Sequence, residues 1–152
     1  MFSYSSIAVG TDGSETSFVA VRAAASLARV YDARLTVICA HYSASGSVLN
    51  STNRELSGLD IVTETGSQEI LQRARTVAEE EGARDINTVS RGGQPAAVLL
   101  EAVTEFDVDL LVVGNKGMRS LAGRVFGNVP GDITKKASVD VMLVDTKAQG
   151  RA

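Results

Sequence analysis

Tryptophan is absent from this chain of 152 residues, and cysteine, histidine and proline are scarce, with one, one and two copies. The lone thiol, Cys39, closes no internal disulfide, and its apolar neighbours predict a buried, inert side chain in a reducing compartment. One cysteine and one histidine exclude a cluster of soft metal ligands. No apolar run approaches the length that spans a bilayer, and the opening "MFSYSSIAVG" has no basic region ahead of a cleavable apolar stretch. No membrane partner and a cytoplasmic location are therefore expected. An excess of base is missing too: 15 Lys and Arg against 18 Asp and Glu leave a net charge of −3. Non-specific binding to nucleic acid depends on a basic surface that neutralises phosphates, so no nucleic-acid partner is expected.

What is present is an ordinary globular composition, 44% hydrophobic and 22% charged. It predicts one domain over residues 1–147 with a short tail, 148–152. Apolar runs alternate with segments of helical period. The runs Ile7 to Val9, Leu35 to Ala40, Ile86 to Val89, Leu110 to Val113 and Val139 to Val144 read as strands, mostly buried on both faces. Helices are expected from about Glu15 to Val30, from a capping box formed by Thr65 and Gln68 to a stop at Gly82, from Pro95 through Phe106, and from Pro130 to Ala137. Such interleaving implies an α/β, Rossmann-like fold, a doubly wound five-stranded parallel sheet of order 3-2-1-4-5. The connection at residues 42–64, rich in Ser, Asn, Gly and Thr, is longer than the fold requires, and reads either as a lid or as a disordered loop.

Two strand ends resemble each other. The first leaves as Gly10-Thr11-Asp12-Gly13 and the fourth as Gly114-Asn115-Lys116-Gly117, both Gly-x-x-Gly. In open parallel sheets a ligand crevice forms at the carboxyl ends of strands where the winding reverses, here between strands one and four. Glycine suits such turns because it takes positive φ and admits a ligand to the backbone. From Asn115 to Gly131 there is no acid, while Lys116, Arg119 and Arg124 are basic and Pro130 opens a helix. Together these features describe an anion site, most simply for phosphate. Asp12 complements it as an acceptor for a sugar hydroxyl or a base amino group. Each feature also has a plain structural reading: the glycines end strands, the bases line a solvated loop, and Asp12 serves a turn or a helix cap.

These residues resemble the universal stress protein family. Its motif runs Gly, two residues, Gly, nine residues, Gly, then Ser or Thr, and Gly114, Gly117 and Gly127 fall at those gaps. "AVGTDGSE", "GGQP", "DLLVVG" and "VDVMLV" extend the likeness over nearly the whole chain. The resemblance implies an adenine nucleotide in the crevice. Thr11, Asp12 and Ala40 would meet the adenine or ribose, and Gly114, Gly117, Gly127, Asn128 and Val129 would line the phosphates with Arg119 beside them. It also implies a homodimer through Val139 to Val144, which as an exposed apolar edge needs protection. Asn128 stands where the family has Ser or Thr, and Pro130 lacks an N–H, so the pocket has fewer donors. ATP, with Mg2+ accompanying it, is placed slightly ahead of cyclic AMP because the three glycines and three bases remain.

Turnover has little support. The chain has no Gly-x-x-x-x-Gly-Lys-Ser/Thr loop and no Gly-x-Gly-x-x-Gly. Its only histidine, His41, ends the second strand without a nearby carboxylate in sequence. The expectation is a nucleotide-binding stress or signalling protein and not an enzyme, with at most weak ATP hydrolysis. The rival from another class is a nucleotide-free dimeric interaction module.

Overall fold

The computed structural model describes residues 1–42, 62–115 and 129–146. In those residues the chain runs β1 (Ser6–Gly10), α1 (Glu15–Tyr31), β2 (Arg34–His41), α2 (Glu64–Glu80), β3 (Ile86–Gly92), α3 (Pro95–Glu105), β4 (Leu110–Gly114), α4 (Val129–Lys136) and β5 (Asp140–Val144). All pairings are parallel, as the alternation of strand and helix predicts, and the order is the expected β3-β2-β1-β4-β5.

The strands are apolar on both faces because helices cover both. Ile7, Val9, Leu35, Val37, Cys39, Leu110 and Val112 join one core cluster with Phe18, Val21, Ala25, Leu71 and Ala74 of α1 and α2. Ala8, Ile38, Ala40, Leu111 and Val113 alternate with them and join the other, with Val98, Leu99, Ala102 and Ile133 of α3 and α4. Period-two alternation thus sends successive residues to two different cores, and burying each large side chain contributes about 1.5–3 kcal/mol.

The helix ends match the sequence in part. Ser14 caps α1, its hydroxyl accepting from the Ser17 N–H, and Asp32 at φ 54° stops it. Pro95 is the first residue of α3 and Gly82, at φ 96°, follows the end of α2, both as expected. The start of α2 differs: Thr63 is the cap, accepting from the Gly66 N–H at 3.0 Å, and Thr65 lies inside the helix. Gly66 occupies the position a reciprocal Glu or Gln needs, so the helix begins with a simple cap and no capping box.

Two carboxylates fix the lower end of the sheet. Asp109 accepts from the Ser5 N–H at 2.9 Å, the Ser5 hydroxyl at 3.0 Å and the Ser6 N–H at 3.1 Å, tying β1 to β4. Asp140 accepts from the Tyr4 hydroxyl at 2.9 Å, holding the start of β5. At the upper end, the expected long connection lies mostly in residues 43–61, outside the described residues. Its base is closed, since the Tyr42 N–H donates to the Val62 carbonyl at 2.7 Å.

Candidate functional site

β1 and β4 lie side by side, with Ile7, Ala8 and Val9 opposite Leu110, Leu111 and Val112. The chain winds outward from β1 to β2 and β3 on one side, and from β4 to β5 on the other. The upper ends of β1 and β4 therefore flank the place where the winding reverses, the position open parallel sheets offer a ligand.

From β1 the chain makes a tight polar turn. The Thr11 N–H donates to the Ile38 carbonyl at 2.9 Å, which holds the turn against β2. The Thr11 hydroxyl lies 2.7 Å from the Ser17 hydroxyl and accepts from the Gly13 N–H at 3.2 Å. Thr11 is fully buried, so its side chain serves the turn and α1. Asp12 is 7% exposed, and one carboxylate oxygen, Oδ1, accepts from the Ser14 N–H at 2.9 Å and the Ser14 hydroxyl at 2.6 Å. The turn-and-cap role foreseen as the plain alternative is therefore real. A carboxylate carries four lone pairs on its two oxygens, so the bonds from Ser14 do not by themselves exclude a ligand.

Gly13 holds the left-handed conformation, φ 86°, and a Cβ built there would come 2.8 Å from Ile70 Cδ1 on α2. Of the glycines at the two strand exits, Gly13 takes the positive φ expected of such turns, while Gly10 and Gly114 end their strands without it. Space is tight at Gly114: a Cβ there would lie 3.0 Å from Thr146 Cγ2. Crowding by a residue distant in sequence, and not a positive φ, disfavours a side chain at that position, because Thr146 would have to give way.

Ala40 and Val129 belong to one buried cluster with Ile38, Val113 and Ile133, on the α3 and α4 side of the sheet. The structure thus brings together Ala40 and Val129, and places Asp12 and Gly114 at the ends of neighbouring strands. Gly117, Arg119, Gly127 and Asn128, with Lys116 and Arg124, lie outside the described residues. His41 is half-buried with its Nδ1 3.0 Å from the Tyr42 carbonyl. Cys39 is a free, buried thiol pushed up to about 12, first by burial and then by the charge of Asp12, which bears out its inert reading.

Three polar residues at these turns were not among the expected site positions. Ser14 carried a visible signal, a hydroxyl residue just ahead of a helical period. Ser17 and Thr146 carried none, because Thr146 meets Asn115 from 31 residues away. Among the described residues no group of three His, Cys, Asp or Glu is placed to hold a metal ion, and no helix is long and apolar enough to cross a membrane.

The profile of the universal stress protein family matches residues 3–145. Universal stress protein Rv1636 of Mycobacterium tuberculosis strain H37Rv is 34% identical over 151 residues, covering 96% of this chain and 99% of the relative. A crystal structure of a universal stress protein in complex with cAMP is 32% identical with a TM-score of 0.74, over 95% of this chain and 99% of the other. UspA from Lactobacillus plantarum, 19% identical with a TM-score of 0.75 over 95% and 99% of the two chains, has the same fold.

Proposed function

Because the chain belongs to the universal stress protein family, we propose that it binds one adenine nucleotide in the crevice between the upper ends of β1 and β4, and that binding is its purpose. The observation that carries this reading is the convergence of the Asp12 turn and the Gly114 strand end at the point where the winding reverses. Asp12 accepts from the ribose or the adenine amino group, with the backbone of Thr11 and the small, buried Ala40 beside it. Gly114, Gly117, Arg119, Gly127, Asn128 and Val129 line the phosphate, with α4 starting at Val129 to present its positive end.

The sequence places ATP slightly ahead of cyclic AMP. The 32% identical structure holding cAMP reverses that order in our proposal. A cyclic monophosphate carries one negative charge and needs fewer donors, which suits Asn128 and Pro130. Where ATP binds instead, its Mg2+ is held chiefly by the phosphates, as is usual for that ion.

Outward from the crevice, β5 is an edge strand, and Met142 and Leu143 on it are 37% and 49% exposed. We place a homodimer contact there, each β5 pairing with its copy. The cytoplasmic location expected from the sequence belongs to the same proposal.

Calorimetry with cyclic AMP, ATP, ADP and AMP tests the reading. Cyclic AMP is expected to bind most tightly, and Asp12→Asn to weaken it by about tenfold, the loss of one charge-assisted hydrogen bond. No binding below millimolar by any of the four refutes the proposal, and ATP binding more tightly than cyclic AMP refutes the order.

A further inference from the structure

β4 and β5 end level with each other, Gly114 opposite Val144, and one side chain clips together the chains that leave them. The Asn115 N–H donates to the Val144 carbonyl at 2.8 Å. Its side-chain oxygen accepts twice from Thr146, from the N–H at 3.1 Å and from the hydroxyl at 3.0 Å. Its amide nitrogen donates to Asp145 Oδ1 at 3.3 Å. Asn115 is thereby bonded to three consecutive residues at the exit of β5 while being exposed itself.

Thr146 closes the arrangement from the other side. It is 1% exposed, its hydroxyl bonded to Asn115 and its methyl packed so near Gly114 that no Cβ fits between them without a shift. A planar amide held at both its oxygen and its nitrogen has one orientation. The direction in which the chain leaves β4 is therefore set by the position of the end of β5. Nothing local demands this, because β4 and β5 are already paired along their length.

We propose that Asn115 is a positioning residue that couples the nucleotide crevice to the β5 edge, so that pairing of β5 and occupancy of the crevice each strengthen the other. The inference rests on the nucleotide reading above and adds its regulation. The strand exit that Asn115 orients leads directly into Lys116 and Gly117. The strand end it grips is that of β5, one of the two edge strands of the sheet and the one at which we place a second copy of this chain. A coupling of this kind is reciprocal: if a nucleotide raises the association constant of β5 by a given factor, association raises nucleotide affinity by the same factor.

The test measures the dimer dissociation constant by sedimentation velocity, with and without saturating cyclic AMP, in the full chain and three variants. The wild type is expected to associate at least about fivefold more tightly with nucleotide. Asn115→Ala and Thr146→Val are expected to bring that ratio to unity, the second by removing only the hydroxyl. Thr146→Ser keeps the hydroxyl and is expected to retain most of the ratio, which a merely structural role for position 146 does not predict. Equal melting temperatures check that each variant is folded. A wild-type ratio of one, a wild type that stays monomeric with and without nucleotide, or an unchanged ratio in Asn115→Ala overturns the inference. If calorimetry still shows wild-type binding in any of these cases, the nucleotide reading stands.

Discussion

Replacing Gly13 by Ala adds one methyl group at the turn that carries Asp12, and two penalties follow from the structure. The first is conformational: φ is 86° at this position, where an L-residue costs roughly 1–2 kcal/mol. The second is steric, since the new Cβ would sit 2.8 Å from both Cδ1 and Cγ1 of Ile70. Cγ1 lies next to the Ile70 branch point, so rotation of the chain end alone does not clear it. Over-packing of this kind costs about 1–3 kcal/mol, which puts the sum near 3 kcal/mol. In a domain of this size that corresponds to a fall in Tm of about 6–12 °C. Urea denaturation followed by circular dichroism measures the energy, and an unchanged m-value shows that the unfolded state is the same. Ile70→Ala separates the two penalties: in the double variant the steric part vanishes and the conformational part stays. The double variant should then be more stable than the sum of the single effects by about 1–2 kcal/mol. A fall in Tm below about 2 °C, or strict additivity of the pair, refutes the argument that α2 seals this turn.

Three further outcomes follow from the burial and titration of other groups. Cys39 should resist thiol reagents at pH 8 in the native protein. Its folded pKa, about 12, is raised above the unfolded value, so its contribution to stability is fully present below pH 9 and is lost as pH rises from 9 through 12. The difference in unfolding free energy between wild type and Cys39→Ala should shrink over that range at about 1.4 kcal/mol per pH unit, and a constant difference contradicts it. Leu143→Lys, which charges an exposed position of the edge strand, should weaken self-association by at least tenfold in sedimentation velocity while leaving Tm within about 2 °C; an unchanged dissociation constant moves the contact elsewhere. Thr36 is fully buried and its hydroxyl has no hydrogen-bond partner among the described residues, so Thr36→Val should stabilise the fold by about 1 kcal/mol in urea denaturation, and a destabilisation shows that the hydroxyl is bonded.

What was legible in the sequence is what depends on near neighbours. Val112 and Val113 face different cores, and an unbroken apolar run is the trace that two covered faces leave. With five such runs and helices between them, a parallel sheet covered on both faces followed from the rules of crossover connections, and the order 3-2-1-4-5 assumed for it is the one observed. The likeness of "GTDG" to "GNKG" pointed to the reversal of winding, and the structure puts Gly10 and Gly114, where the two begin, at the upper ends of adjacent strands. The start of α2 was misplaced by two residues, because Thr63 and Thr65 are equally good caps in isolation and only the fold chooses between them. Glycine was legible only in part. Gly13 has the positive φ expected of such a turn, whereas the crowding of Gly114 by Thr146 comes from a neighbour that only the pairing of β4 with β5 supplies. Ser17 was invisible for a similar reason: a serine inside a helix carries no mark that its hydroxyl meets Thr11.

The backbone bond between Tyr42 and Val62 gives the chain a place where it can be rewritten. Because the first residue after β2 is already fastened to the last residue before the cap of α2, the two ends of the stretch 43–61 are held together independently of its own sequence. Doubling the length of such an insert costs only about 0.6 kcal/mol of closure entropy. Evolution or an engineer can therefore exchange that stretch for one of another length or composition, as a cassette between fixed posts, without disturbing the sheet.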